Sequence, residues 1–218
     1  MAVEQLPCRR SEGNRCTASP RHSAAAPEPH CSDGRCAVRP RASLHLPAAT
    51  EHGFGALLTQ RAPVICLLNR RRLDETLHSR ALTRLPGTVF TDYTAHPEVL
   101  ARDLIHKAAH NRLNDALAAY DVSLPADVTS FSPWRGTPRR VYGFLHACWA
   151  FSLTVLYARQ ARCDATGAVV PFLDAHLRQQ ESQFASALDS LAEALPYVSA
   201  DALRDRVSHA VSKAVESA

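Results

Sequence analysis

The stretch VYGFLHACWAFSLTVLYA, residues 141–158, carries no charged residue. As a helix it would be roughly 27 Å long, nearly enough to cross a bilayer, so whether it lies in lipid or in a protein core decides the fold. Three features favour a core. His146 near its middle would be costly in hydrocarbon, Arg139, Arg140 and Arg159 flank it on both sides, and no other segment of the chain resembles it. A central helix of a helical domain is therefore expected, with no membrane partner.

Upstream, HPEVLARDLIHKAAHNRLNDALAAY opens with His96-Pro97-Glu98, a favourable helix start because proline is tolerated in the first turn and an acid there suits the dipole. The helix should run to about Tyr120. Along it Val99, Asp103, His106, His110, Leu113 and Leu117 recur at three- and four-residue steps, so both histidines share one stripe. Before it, APVICLLN and TVFTDY read as two short strands, with Pro86-Gly87 as a turn and RRRLDETLHSRAL (70–82) as a helix between them. A loop holding Pro125 and Pro133 follows, and the apolar helix should begin near Pro138. Downstream, Leu173, Leu177, Phe184, Leu188, Leu191 and Leu195 keep a helical period, as do Leu203, Val207, Val211 and Val215 after Pro196 and the cap candidate Ser199. The expected class is mainly α with a minor β component: a helical core and two short strands before the histidine helix.

Residues 1 to about 50 differ in texture, holding six of the 14 prolines and four of the seven cysteines without helical or strand period. They read as a disordered tail, leaving one domain over 51–218. Cys8, Cys16, His22, His30, Cys31 and Cys36 match no common zinc framework. Cys66, Cys148 and Cys163 stand singly in apolar or boundary surroundings, which suits buried thiols. A net charge of +4 without a dense basic run gives nucleic-acid binding little support. The start lacks a basic segment followed by a long apolar one, so a cytoplasmic location is expected.

The chemistry centres on DLIHKAAHNRLND, residues 103–115. Two imidazoles four residues apart rise about 6 Å along a helix and can converge on one ion at about 2.1 Å each. A third donor is needed, and His146 is the natural candidate. The plain alternative is a core histidine bonded to a backbone carbonyl, because a buried imidazole must find a polar partner. Just upstream of His146, FSPWRGTPRR sets Arg135, Arg139 and Arg140 on the approach to the same helix. A metal with a nearby guanidinium can hold a small dicarboxylate by its two ends; the plain alternative is a solvated helix start. His176 and His209 read as surface or boundary histidines.

These blocks resemble the HExxH-domain family of iron- and 2-oxoglutarate-dependent peptide β-hydroxylases from ribosomally made peptide pathways. The resemblance is carried by Pro86-Gly87-Thr88-Val89-Phe90, by Leu104-Ile105-His106-Lys107-Ala108-Ala109-His110-Asn111-Arg112-Leu113, by Pro133-Trp134-Arg135-Gly136-Thr137-Pro138-Arg139-Arg140, and by Leu145-His146-Ala147-Cys148-Trp149-Ala150-Phe151. It covers about a third of the chain closely. It implies that His106, His110 and His146 bind Fe(II), that Arg135 or Arg139 holds 2-oxoglutarate, and that O2 is consumed in hydroxylating a side-chain β-carbon of a precursor peptide. Three histidines depart from the usual two-histidine, one-carboxylate face of such oxygenases. Lys107, Asp103 and Asn114 are the residues expected just behind the ligands.

Lys107 stands where the family motif has glutamate. In a zinc protease that carboxylate takes the proton of the metal-bound water, and an ammonium beside a dication cannot replace it, which argues against proteolysis. In an oxygenase the iron and O2 carry the difficult chemistry, so the change is survivable. The rival expectation is a non-catalytic relative that keeps the fold and its groove as a peptide-binding module.

Overall fold

The computed structural model describes residues 37–38, 47–82 and 84–216. Two short helices, α1 (Pro47–Glu51) and α2 (Gly55–Arg61), lie between the first and second strands of a four-stranded sheet. Its strands are β1 (Ala37–Val38), β2 (Val64–Arg70), β3 (Ser79–Ala81) and β4 (Thr88–Tyr93), in the spatial order β1-β2-β4-β3. β2 and β4 run parallel, with Ile65 opposite Val89, whereas β1 and β3 pair antiparallel at the two edges. The remainder is helical apart from one hairpin: α3 (Pro97–Ala119), β5 (Thr129–Ser132), β6 (Thr137–Arg140), α4 (Val141–Asp164), α5 (Val169–Ala185), α6 (Leu188–Ala194), a 3-10 turn (Leu195–Tyr197) and α7 (Asp201–Val215). The mainly α class with a small β component is what the molecule shows.

Helix α4 is the axis of the core. Phe144, Cys148, Ala150, Tyr157 and Ala158 are sealed from solvent on it, and 78% of its most apolar window is buried within the protein. It packs against α3 on one side and α5 and α7 on others. Alanines at 101, 108 and 109 let α3 approach closely, and the Trp149 indole N–H ties the pair by donating to the Ala109 carbonyl at 3.0 Å. Tyr157 does the same one turn from the helix start, donating to the Glu98 carbonyl at 3.1 Å. Truncating a sealed leucine such as Leu104 or Leu145 to alanine here would cost about 2–5 kcal/mol.

Several sequence expectations need correction. Residues 70–82 are not a helix: Arg70 closes β2, residues 71–78 form a loop, and Ser79–Ala81 are an edge strand. The cause is Asp92, buried in β4, whose carboxylate accepts from the Asn69 N–H at 3.1 Å, the Arg71 guanidinium at 2.9 Å and the His78 N–H at 3.2 Å. Those contacts take backbone donors that a helix would have used. The loop expected across Pro125 and Pro133 contains the β5–β6 hairpin, and α4 starts at Val141 rather than near Pro138. The single helix expected over 173–195 breaks at Ser186–Ala187 into α5 and α6.

The domain also begins earlier than residue 51. Ala48 and Ala49 of α1 are in the core, and Ala37–Val38 pair with β2. Residues 1–36 and 39–46 of the expected tail, including the six Cys and His positions weighed there, lie outside the described residues. Cys66 and Cys148 are buried as expected, but Cys163 is exposed near the end of α4. Gly87, in the turn before β4, could not be another residue cheaply: its φ is +74° and a Cβ would meet the Pro63 ring at 2.9 Å.

Candidate functional site

Packing of α3 on α4 brings His146 against His110, which already neighbours His106 on α3. The Nε2 atoms of His106 and His110 are 3.1 Å apart, and Nδ1 of His110 is 3.0 Å from Nδ1 of His146. His110 thus uses its two ring nitrogens towards two different neighbours. The three rings form a relay in which His110 is the middle member. Its ring is nearly parallel to that of His146, with centroids 5.2 Å apart, and close to perpendicular to that of His106. A shared ion 2.1 Å from each Nε2 of His106 and His110 would subtend about 95° at the metal, a normal angle between neighbouring ligands.

All three imidazoles are held neutral, the form that ligates metals. Burial, then the neighbouring His110, Lys107 and Arg102, push His106 well below its ordinary value. Burial followed by Lys107 and Arg139 lowers His110 to about 4, and burial followed by His110 and Arg139 lowers His146 to about 3. Only one of the two facing Nδ1 atoms can carry a proton between them. With that proton on His110, the His110 Nε2 lone pair points towards His106, as a metal ligand requires, and His146 acts as the acceptor that fixes the tautomer. The Nε2 of His146 is buried without a partner. Among the described residues no group of three or more His, Cys, Asp or Glu side chains is arranged to hold one ion. The two α3 histidines supply two of the donors a metal would need, and His146 meets that pair from behind His110.

The other expected site residues gather around this relay. Arg139 lies half-buried at the end of β6, close enough to His110 and His146 to lower both. Its guanidinium lies over Gly143, one turn before His146, where an added Cβ would come 2.9 Å from Nη2. Glycine at 143 makes room for that cation. Arg135 is exposed in the hairpin turn, beside the left-handed Gly136 (φ +65°), and its charge reaches Lys107. Neither arginine has an acidic partner among the described residues. Arg140 is exposed at the end of the hairpin.

Lys107 is largely buried; burial lowers its pKa, nearby Asp103 opposes that shift, and Arg135 adds to it. Asp103 itself is paired with Arg102 at 2.5 Å and touches no histidine of the relay. Asn114, one turn beyond His110, accepts a 2.5 Å bond from the Tyr142 hydroxyl, and the Tyr142 ring packs on His146 at 4.3 Å.

A pocket of about 420 Å³ opens beside the relay, lined by His106, Lys107, Asp103, Trp134, Phe151 and the inner face of α5. Phe151 packs against the His106 ring at 4.7 Å, and Trp134 stacks flat on Phe151 at 5.1 Å. Here the reading of His176 as a surface or boundary residue is overturned. It is buried, lowered to about 3 by burial and then Arg102, and its Nε2 has no partner. His209, by contrast, is exposed. The buried stripe of α5 runs through Val169, Leu173, His176, Gln180 and Phe184, so a histidine and a glutamine occupy positions where the period calls for apolar residues. Reading Leu177 as part of that stripe hid this signal. No protein-family model matches the chain, and no curated protein matches it.

Proposed function

We propose that the chain is an iron(II)- and 2-oxoglutarate-dependent peptide hydroxylase, resembling the HExxH-domain enzymes in the four motif blocks and differing from them at Lys107. The reading rests on one observation above others: two neutral imidazoles of α3 with Nε2 atoms 3.1 Å apart, one of them, His106, lining a polar pocket. In it His106 and His110 hold Fe(II), and His146 is the adjoining third histidine. Bound iron would supply activation of O2 and oxidative decarboxylation of 2-oxoglutarate, coupled to hydroxylation of a side-chain β-carbon.

The residues of the chain perform the rest. His146 holds the His110 proton on Nδ1 and so turns the other nitrogen to the metal. Arg139, settled over Gly143 and free of acidic partners, is the better placed cation for the far carboxylate of 2-oxoglutarate, with Arg135 at the rim. The stacked Phe151 and Trp134 rings buttress the His106 imidazole at the pocket wall. The precursor peptide would occupy the 420 Å³ pocket. The reading also places the protein in the cytoplasm, where the buried Cys148 thiol stays reduced.

A second reading, a peptide-binding module without catalysis, is favoured by Lys107. Its charge bears on both His106 and His110 and opposes a dication between them. Anaerobic titration with Fe(II) and 2-oxoglutarate separates the two. A weak visible charge-transfer band in the wild-type protein, lost in His106→Ala, supports the oxygenase. A band seen only in Lys107→Glu supports the module, and none in either sinks the iron proposal.

A further inference from the structure

Helix α5 turns a polar stripe into the pocket: His176, Gln179, Gln180 and Gln183 all line it. Two atoms of that stripe, His176 Nε2 and Gln183 Oε1, are buried without hydrogen-bond partners. Leaving such an atom unpaired costs about 1–3 kcal/mol, so two of them on residues that line one cavity mark groups kept for something that binds there. Between them Gln180 is already committed, its Oε1 accepting from the Trp134 indole at 2.8 Å. Through Trp134 and Phe151 the stripe is fixed to the His106 ring.

The residues bearing the two unpaired atoms stand seven positions apart, about 10.5 Å along the helix. An extended peptide covers that span in about three residues and offers both an N–H and a C=O over it. Charge points the same way. Arg102, whose charge bears on His176, is paired with Asp103 at 2.5 Å, and the side chains that α5 itself presents are amides and an imidazole.

We propose that the inner face of α5 is a subsite for the backbone amides of an extended peptide, with Gln183 Oε1 accepting a peptide N–H and His176 Nε2–H donating to a peptide carbonyl. The proposal takes its substrate class from the peptide-hydroxylase reading, but the binding itself needs no metal.

The test uses the full-length, metal-free protein and follows the ring resonances of His176 by NMR. The probes are N-acetyl-trialanine methylamide, its backbone N-methylated analogue, N-acetylglutamine methylamide and glutarate, all at millimolar concentration. The trialanine probe should shift the His176 ring, and the N-methylated analogue should bind about tenfold more weakly or less. Gln183→Leu should weaken the trialanine probe by a similar factor while raising Tm by about 2 °C or more, because an unpaired buried oxygen is removed. An unmoved His176 ring overturns the proposal. So does tighter binding of glutarate, or binding of the glutamine compound alone, which would make this a carboxylate or side-chain carboxamide site. A lower Tm in Gln183→Leu also overturns it, since the oxygen would then be structural. The Fe(II) and 2-oxoglutarate band, recorded on the same variant, should persist. Its absence from wild type as well would count against the oxygenase reading and leave the peptide subsite standing.

Discussion

Nδ1 of His110 lies 3.0 Å from Nδ1 of His146 across the α3–α4 interface, so one proton serves two rings and the tautomer of each is set by the other. This coupling gives His146 a role that differs from simple ligation. His146→Gln keeps an acceptor near His110, and Fe(II) affinity should fall about 10–100-fold, the usual cost of losing a partner behind a ligand. His106→Ala removes a donor of the metal pair and should abolish binding. Metal titration with a chelator competitor measures both. Equal losses in the two variants would make His146 a direct ligand.

Gly143 should separate stability from cosubstrate binding. Replacing it by alanine removes a glycine from the first turn of α4, worth at most about 0.5–1 kcal/mol of added stability. The new methyl would meet the Arg139 guanidinium at 2.9 Å, and because that is the end of a flexible side chain it should swing aside. Expected is a raised urea midpoint together with 2-oxoglutarate affinity about tenfold lower. Unchanged affinity would remove Arg139 from the site.

Acid should destabilise the metal-free protein through its buried histidines. His110, His146 and His176 are lowered from 6.5 to about 4, 3 and 3 by burial. The unfolded chain therefore takes up protons first. Stability is full above about pH 6.5 and declines as pH falls towards those lowered values, each histidine adding a slope of at most about 1.4 kcal/mol per pH unit. Urea denaturation at pH 7.5, 6.0 and 5.0 reads this directly. A flat profile would show that the rings are solvated.

Asp92 organises the 71–78 loop, and Asp92→Ala should cost about 2–4 kcal/mol by stranding Arg71 and two backbone N–H groups. Burial alone would raise this carboxyl, but the Arg71 guanidinium and the Asn69 and His78 N–H groups hold it below the ordinary carboxylate value. Hydrogen exchange should quicken at Asn69 and His78 in the variant and stay unchanged in α7. Uniform quickening would mean that the whole domain had loosened instead.

Local patterns determined much of this molecule. The uncharged run of α4, the Pro97 start of α3, the β-branched runs of β2 and β4 and the period of α7 each follow from residue type and spacing, because hydrophobic burial and helix-end chemistry act over a few residues. So did the pairing of His106 with His110, since a four-residue step on a helix places both on one face. What required the folded chain was every feature set by a distant partner. Asp92 diverted residues 70–82 from a helix, and an Asn69 or His78 N–H carries no mark of a carboxylate on another strand. The meeting of His146 with His110, the seat of Arg139 over Gly143 and the inward turn of His176 and Gln183 depend on how α3, α4 and α5 lie against one another. Tertiary packing alone decides which side of a helix a polar residue must share with its neighbours.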